Sequence, residues 1–263
     1  MAAGVYPTGY PQCVAKRPMN AREGGIGCGF VSWQQALLVG LSAVGSGVAA
    51  YLLGPWVLRR IPEPELDEGE TKTLYAAMAG PRAAAWCGGL AALAGSLLAW
   101  RIGWAAPLAA WLVLGITGAV LGYIDIRTRF LPSAIIWPTY AAVAVLLTVA
   151  SLVTGDWDAL GRAAIAGAGT FVLFYLMWWV YPAGIGFGDV RLSGLLGGAL
   201  GWLGWGELVI GMYGGFLLGA VVGVLLTAVK VFDRKAFAFG PFMLAGALVG
   251  VLAGGPLATA YLG

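Results

Sequence analysis

Two aspartates stand apart from the other acidic residues of this 263-residue chain. Asp125 lies in Gly122-Tyr123-Ile124-Asp125-Ile126-Arg127, and Asp189 in Gly186-Phe187-Gly188-Asp189-Val190-Arg191. Each sits at the edge of a long apolar run, where an ionisable group is expensive and is a functional candidate by default. The remaining acids have plainer surroundings. Glu63, Glu65, Asp67, Glu68 and Glu70 share one polar loop, Glu23 is in the N-terminal tail, and Asp233 is in a short basic turn. Asp156, Asp158 and Glu207 fall at the opposite ends of apolar runs.

Two carboxylates that meet away from water cannot both ionise easily, so they share a proton. The ionised member can take a proton from water while the protonated member polarises a carbonyl. That is aspartic peptidase chemistry, and it needs no histidine, serine or metal. The glycines at 186 and 188 are expected to let the backbone bend and a substrate strand approach. The plainer alternative is a pair of interfacial ion pairs, Asp125 with Arg127 or Arg129 and Asp189 with Arg191.

The elements that must carry these groups are transmembrane helices. Hydrophobic residues make up 60% of the chain, charged residues 10%, and the mean hydropathy is +0.85. Soluble domains carry about 25% charged residues, so the composition predicts an all-α, polytopic membrane protein. A bilayer core of about 30 Å needs about 20 apolar residues per helix. Spans are predicted near 34–56, 83–100, 103–124, 133–154, 162–182, 207–229 and 240–261. A shorter apolar stretch at 190–204 is an eighth span or a partial insertion, giving seven or eight helices. Two crossings separate Asp125 from Asp189, so both carboxylates reach one membrane face.

Lysine and arginine orient the bundle. The loops at 57–82, 125–132, 183–191 and 230–235 hold Arg59, Arg60, Lys72, Arg82, Arg127, Arg129, Arg191, Lys230, Arg234 and Lys235. The opposite loops hold only Arg101 and Arg162, apart from three basic residues of the tail. The aspartate side is therefore expected to be cytoplasmic. Residues 1–30 read as a flexible tail, 31–82 as a first transmembrane helix with a cytoplasmic loop, and 83–263 as the catalytic membrane domain. Nothing in the tail resembles a secretory signal, and the first span is expected to act as a signal anchor.

Composition also removes several function classes. The chain has no histidine, which excludes Ser-His-Asp triads and histidine metal sites. Its three cysteines, Cys13, Cys28 and Cys87, form no CxxC pair, so no metal and no cofactor are expected. A net charge of +3 gives little support to nucleic-acid binding. Glycines repeat every fourth residue at Gly211, Gly215, Gly219 and Gly223 and again at Gly246, Gly250 and Gly254. Such stripes are helix-packing faces.

Three motifs together resemble the type IV prepilin peptidases. Gly186-Phe187-Gly188-Asp189-Val190-Arg191-Leu192 is similar to that family's GxGD motif. Asp125 followed by Leu131-Pro132-Ser133 is similar to its first aspartate motif, with serine where asparagine is usual and Arg191 where lysine is common. Phe239-Gly240-Pro241-Phe242 resembles its late FGP motif. The resemblance spans about residues 83–262. It implies an aspartic endopeptidase of the plasma membrane that removes the positively charged leader of prepilins or pseudopilins at the cytoplasmic face. Asp125 and Asp189 would be its catalytic residues, and Pro132, Gly186, Gly188, Arg191, Gly240 and Pro241 its motif and substrate-binding residues. The loop 57–82 has no cysteine, so neither the family's zinc-binding domain nor its N-methyltransferase activity is implied. Partners would be the prepilin and membrane lipid; the oligomeric state is left open. Two rivals are a presenilin-type intramembrane protease, which would pair the motif with an adjacent Tyr-Asp, and a proton-coupled transporter, which would show an inverted repeat.

Overall fold

The computed structural model describes residues 33–62, 74–182, 185–228 and 238–262. The tail 1–30, the acidic stretch 63–70 and the basic turn 230–235 lie outside the described residues. Within them the chain is helical throughout, without a strand: α1 (Trp33–Arg60), α2 (Tyr75–Met78), α3 (Pro81–Ile102), α4 (Leu108–Thr128), α5 (Ser133–Thr154), α6 (Trp157–Val180), α7 (Phe187–Leu203), α8 (Trp205–Ala228) and α9 (Gly240–Leu262). Seven of these are long and apolar enough to cross a membrane. The chain is a multi-pass membrane protein. Trp33, Trp56, Trp100, Trp157, Trp179 and Trp205 are exposed near helix ends, the positions that interfacial aromatic belts occupy.

The eighth crossing is α7, which the sequence left ambiguous. It has 17 residues, or about 25 Å of helix. The backbone N–H of Gly240, at the start of α9, donates to Asp125 at the end of α4. An even number of crossings must separate the two. With α5, α6 and α8 crossing, α7 must cross as well. It is shorter than the bilayer core of about 30 Å.

Adjacent helices associate in close pairs. Small residues and backbone hydrogen-bond acceptors make these contacts, because lipid gives no hydrophobic drive between helices. In the α1–α3 pair, the Ser46 hydroxyl donates to the Ala91 carbonyl at 2.9 Å. In the α6–α7 pair, Thr170 donates to the Ser193 carbonyl and Ser193 to the Thr170 carbonyl. In the α8–α9 pair the predicted glycine stripes face each other. A Cβ at Gly250 would lie 2.6 Å from the Glu207 carbonyl oxygen and 2.7 Å from Gly211 Cα.

Several expectations change. Helix α4 begins at Leu108 rather than 103, because Gly103 adopts φ +66° and closes α3. It also runs on to Thr128, so Asp125 lies inside its last turn. Part of the polar loop 57–82 folds back as α2, burying Tyr75 completely, while Arg59 donates to the Ala79 carbonyl. Glu207 is not a solvated outer-face acid but is 9% exposed, packed beside Gly254 and Gly255. Nor are Arg101 and Arg162 free loop charges. Arg101 donates to the Leu252 carbonyl, whose helical donor the Pro256 ring has removed. Arg162 donates to the carbonyls of Gly201 at 2.7 Å and Trp202 at 2.9 Å, capping the end of α7.

Candidate active site

The last turn of α4, the first turns of α7 and α9, and the connection 129–132 converge at one end of the bundle. Asp125 is 3% exposed. Its backbone carbonyl accepts from the N–H of Arg129 at 2.8 Å. Arg129 takes the left-handed conformation at φ 56°, a closing position that glycine usually fills. This turn ends α4 one turn after Asp125. Oδ2 of Asp125 accepts from the Gly240 N–H at 3.0 Å, so the positive end of α9 faces a carboxylate.

Asp189 is the third residue of α7 and 8% exposed. Its N–H donates to the Gly186 carbonyl at 3.0 Å, closing the first turn. Its Oδ1 is buried without a hydrogen-bond partner. Leaving such an atom unsatisfied costs about 1–3 kcal/mol. Asp125 and Asp189 are linked through Leu131, which lies against Gly188, the neighbour of Asp189, and against Gly240, the donor to Asp125.

Leu131 joins the three segments, and nothing in the sequence marked it out. It is 4% exposed. A Cβ on Gly188 would lie 2.7 Å from Leu131 Cβ, and one on Gly240 would lie 3.3 Å from Leu131 Cδ1 and 2.8 Å from Asp125 Oδ2. The glycine at 188 is therefore required by Leu131, not by an approaching substrate strand. At Gly186 an added Cβ would meet only Asp189 Oδ2, at 3.3 Å. Pro132 holds extended backbone at the start of α5, and Pro241 follows Gly240 in the first turn of α9.

Neither aspartate forms an ion pair with the arginines near it in sequence, among the described residues. Arg127 stacks over the Tyr123 ring at 5.6 Å. Arg191 turns away from Asp189, donating to the Ser133 hydroxyl and covering the Phe187 ring at 4.6 Å. No cluster of three or more His, Cys, Asp or Glu side chains that could hold a metal occurs among the described residues.

This pair of carboxylates lies within a segment that matches a known family model. Residues 112–224 match the model of the type IV leader peptidase family. The resemblance drawn from the three motifs is thus borne out over the segment holding both aspartates. The chain is 30% identical over 171 residues to a prepilin leader peptidase/N-methyltransferase of Pseudomonas putida, covering 62% of this chain and 56% of that protein. It is 33% identical over 160 residues to one of Burkholderia pseudomallei, covering 56% and 48%. With one of Aeromonas salmonicida it shares 27% identity over 169 residues, covering 61% and 54%. The chain therefore spans about half the length of these relatives. No solved structure matches it. The matched segment stops short of Gly240, and the fold brings the start of α9 against Asp125.

Proposed function

We propose that the chain is a membrane aspartic endopeptidase that removes the positively charged leader from prepilins or pseudopilins. The observation that carries this reading is the burial of Asp125 and Asp189 at one end of the bundle, linked through Leu131 and Gly240, inside the segment that matches the leader peptidase model. In the proposed reaction the ionised carboxylate takes a proton from water, and the oxygen attacks the scissile carbonyl carbon. The protonated carboxyl donates to the carbonyl oxygen as charge develops there. Collapse of the tetrahedral intermediate breaks the C–N bond. The amine leaves with a proton, one water having been consumed.

The lysine and arginine bias supports a site at the cytoplasmic face of the plasma membrane. A prepilin would present its scissile bond there, between a basic leader kept in the cytoplasm and an apolar helix in the bilayer. Surrounding lipid would align that helix with the bundle. Pro132, Gly186, Gly188, Gly240 and Pro241 would shape the site around the carboxylates. The reading is confined to peptidase activity. The relatives' methyltransferase function is left out, because the 57–82 connection has no cysteine.

Co-expression with a prepilin or pseudopilin tests this. Asp125→Asn and Asp189→Asn should each abolish leader removal while protein level in the membrane is unchanged. Normal processing by either variant would overturn the two-carboxylate mechanism.

A further inference from the structure

Arg191 is a half-buried cation whose side-chain partners are neutral. Its guanidinium donates to the Ser133 hydroxyl, at the first residue of α5. The same group lies 4.6 Å over the ring of Phe187, one turn earlier in α7. Its backbone carbonyl accepts from the Tyr140 hydroxyl at 2.7 Å, and Tyr140 lies two turns into α5. So α7 is tied to α5 twice at this one residue, within two positions of Asp189. Ser133 in turn follows Leu131-Pro132, the segment that packs on Gly188 and Gly240. Anything that shifts Ser133 shifts Leu131, which packs on Gly188 beside Asp189 and on Gly240, the donor to Asp125.

A planar guanidinium that stacks on a ring and reaches a hydroxyl is fixed in a way lysine cannot reproduce. Sitting on the opposite side of α7 from Asp189, it is not disposed to meet a substrate at the carboxylates. We propose that Arg191 is a positioning residue, holding α7 against the start of α5 through Ser133 and so setting the separation of the Asp125 and Asp189 carboxylates. This rests on the two-aspartate reading above, and it replaces substrate binding as the role of Arg191.

Two measurements test it, one of which needs no peptidase activity. The first follows leader removal by purified protein. Ser133→Ala and Arg191→Met should each lower kcat about tenfold, as a small misplacement of reacting groups does, with KM within about twofold. The double variant should be no slower than the slower single one, because both changes remove one contact. Arg191→Lys should fail to restore the rate. A raised KM at unchanged kcat, or single effects that multiply in the double variant, would overturn the proposal. The second measurement uses a chain with Asp125→Cys and Asp189→Cys and its native cysteines replaced by alanine. A short bifunctional thiosulfonate should bridge the two positions, read as protection from maleimide labelling. The bridging yield should fall at least about threefold when Ser133→Ala or Arg191→Met is added, a loss on the scale of one broken contact. An unchanged yield overturns the positioning role whether or not leaders are cleaved. A yield that responds in a chain whose parent cleaves no leader would sink the peptidase reading and leave the positioning role standing.

Discussion

The backbone N–H of Gly240 donates to Oδ2 of Asp125 at 3.0 Å, joining residues 115 positions apart in the chain. This bond ties the end of α4 to the start of α9. It also leaves no room for a side chain at 240. Gly240→Ala places a Cβ 2.8 Å from the same carboxylate oxygen. Leader removal should fall about 100-fold, the scale of a 1 Å displacement of a reacting group. Quantitative immunoblotting of membranes should show the variant at the parent's level. Parental cleavage rates in Gly240→Ala would mean that the Asp125 carboxylate need not be held in this position.

The two glycines before Asp189 should differ in their tolerance of alanine. Gly188→Ala drives a Cβ into Leu131 at 2.7 Å, with the Leu131 carbonyl oxygen at 3.3 Å. Overpacking of this kind costs about 1–3 kcal/mol. Gly186→Ala meets only a carboxylate oxygen at 3.3 Å, which a small side-chain rotation can relieve. Thermal unfolding in detergent should therefore rank Gly188→Ala well below Gly186→Ala. The reverse order would show that the Leu131 contact does not hold the two segments together.

The rate of leader removal should pass through a maximum as pH is varied. The proposed mechanism needs one carboxylate ionised and one protonated. As pH falls the ionised member gains a proton and the general base is lost. As pH rises the remaining proton leaves and the carbonyl loses its donor. The two limbs belong to the pair rather than to either residue. A rate that keeps rising with pH beyond the carboxylate range would exclude a required protonated partner.

At the far end of the bundle, Arg162→Met should lower the unfolding temperature and leave kcat per folded molecule unchanged. Two hydrogen bonds from a charged donor to the Gly201 and Trp202 carbonyls would be lost, a destabilisation of about 2 kcal/mol or more. A variant as stable as the parent would show that the end of α7 finds other donors.

Metal chelators should leave leader removal unaffected, because the proposed chemistry runs on carboxylates alone in a chain without histidine. Inhibition by a chelator that added zinc reverses would overturn this.

What could be read in the sequence followed from the sharpness of local signals. Helix α5 matches its predicted span because Pro132 and Gly155 bound it on both sides. The common face of Asp125 and Asp189 needed only a count of crossings. The start of α4 was misplaced because residues 103–107 are apolar but irregular, with Gly103 in a conformation that hydropathy does not report. The burial of Tyr75 and Glu207 is decided by tertiary packing, and both lie in segments that read as solvated. Leu131 was invisible for a different reason. A leucine in a chain that is 60% hydrophobic carries no signal, and its importance comes from the two glycines it fills. Those glycines were noticed, but the space they leave turned out to be occupied from within.

The bond between Gly240 and Asp125 also bears on how the protein is made. Synthesis proceeds from the N-terminus, so both aspartates are inserted before residue 240 leaves the ribosome. Through that interval the Asp125 carboxylate lacks its backbone donor, and Leu131 lacks one of the two surfaces it packs against. Arrival of α9 is thus the step that completes the contacts around Asp125.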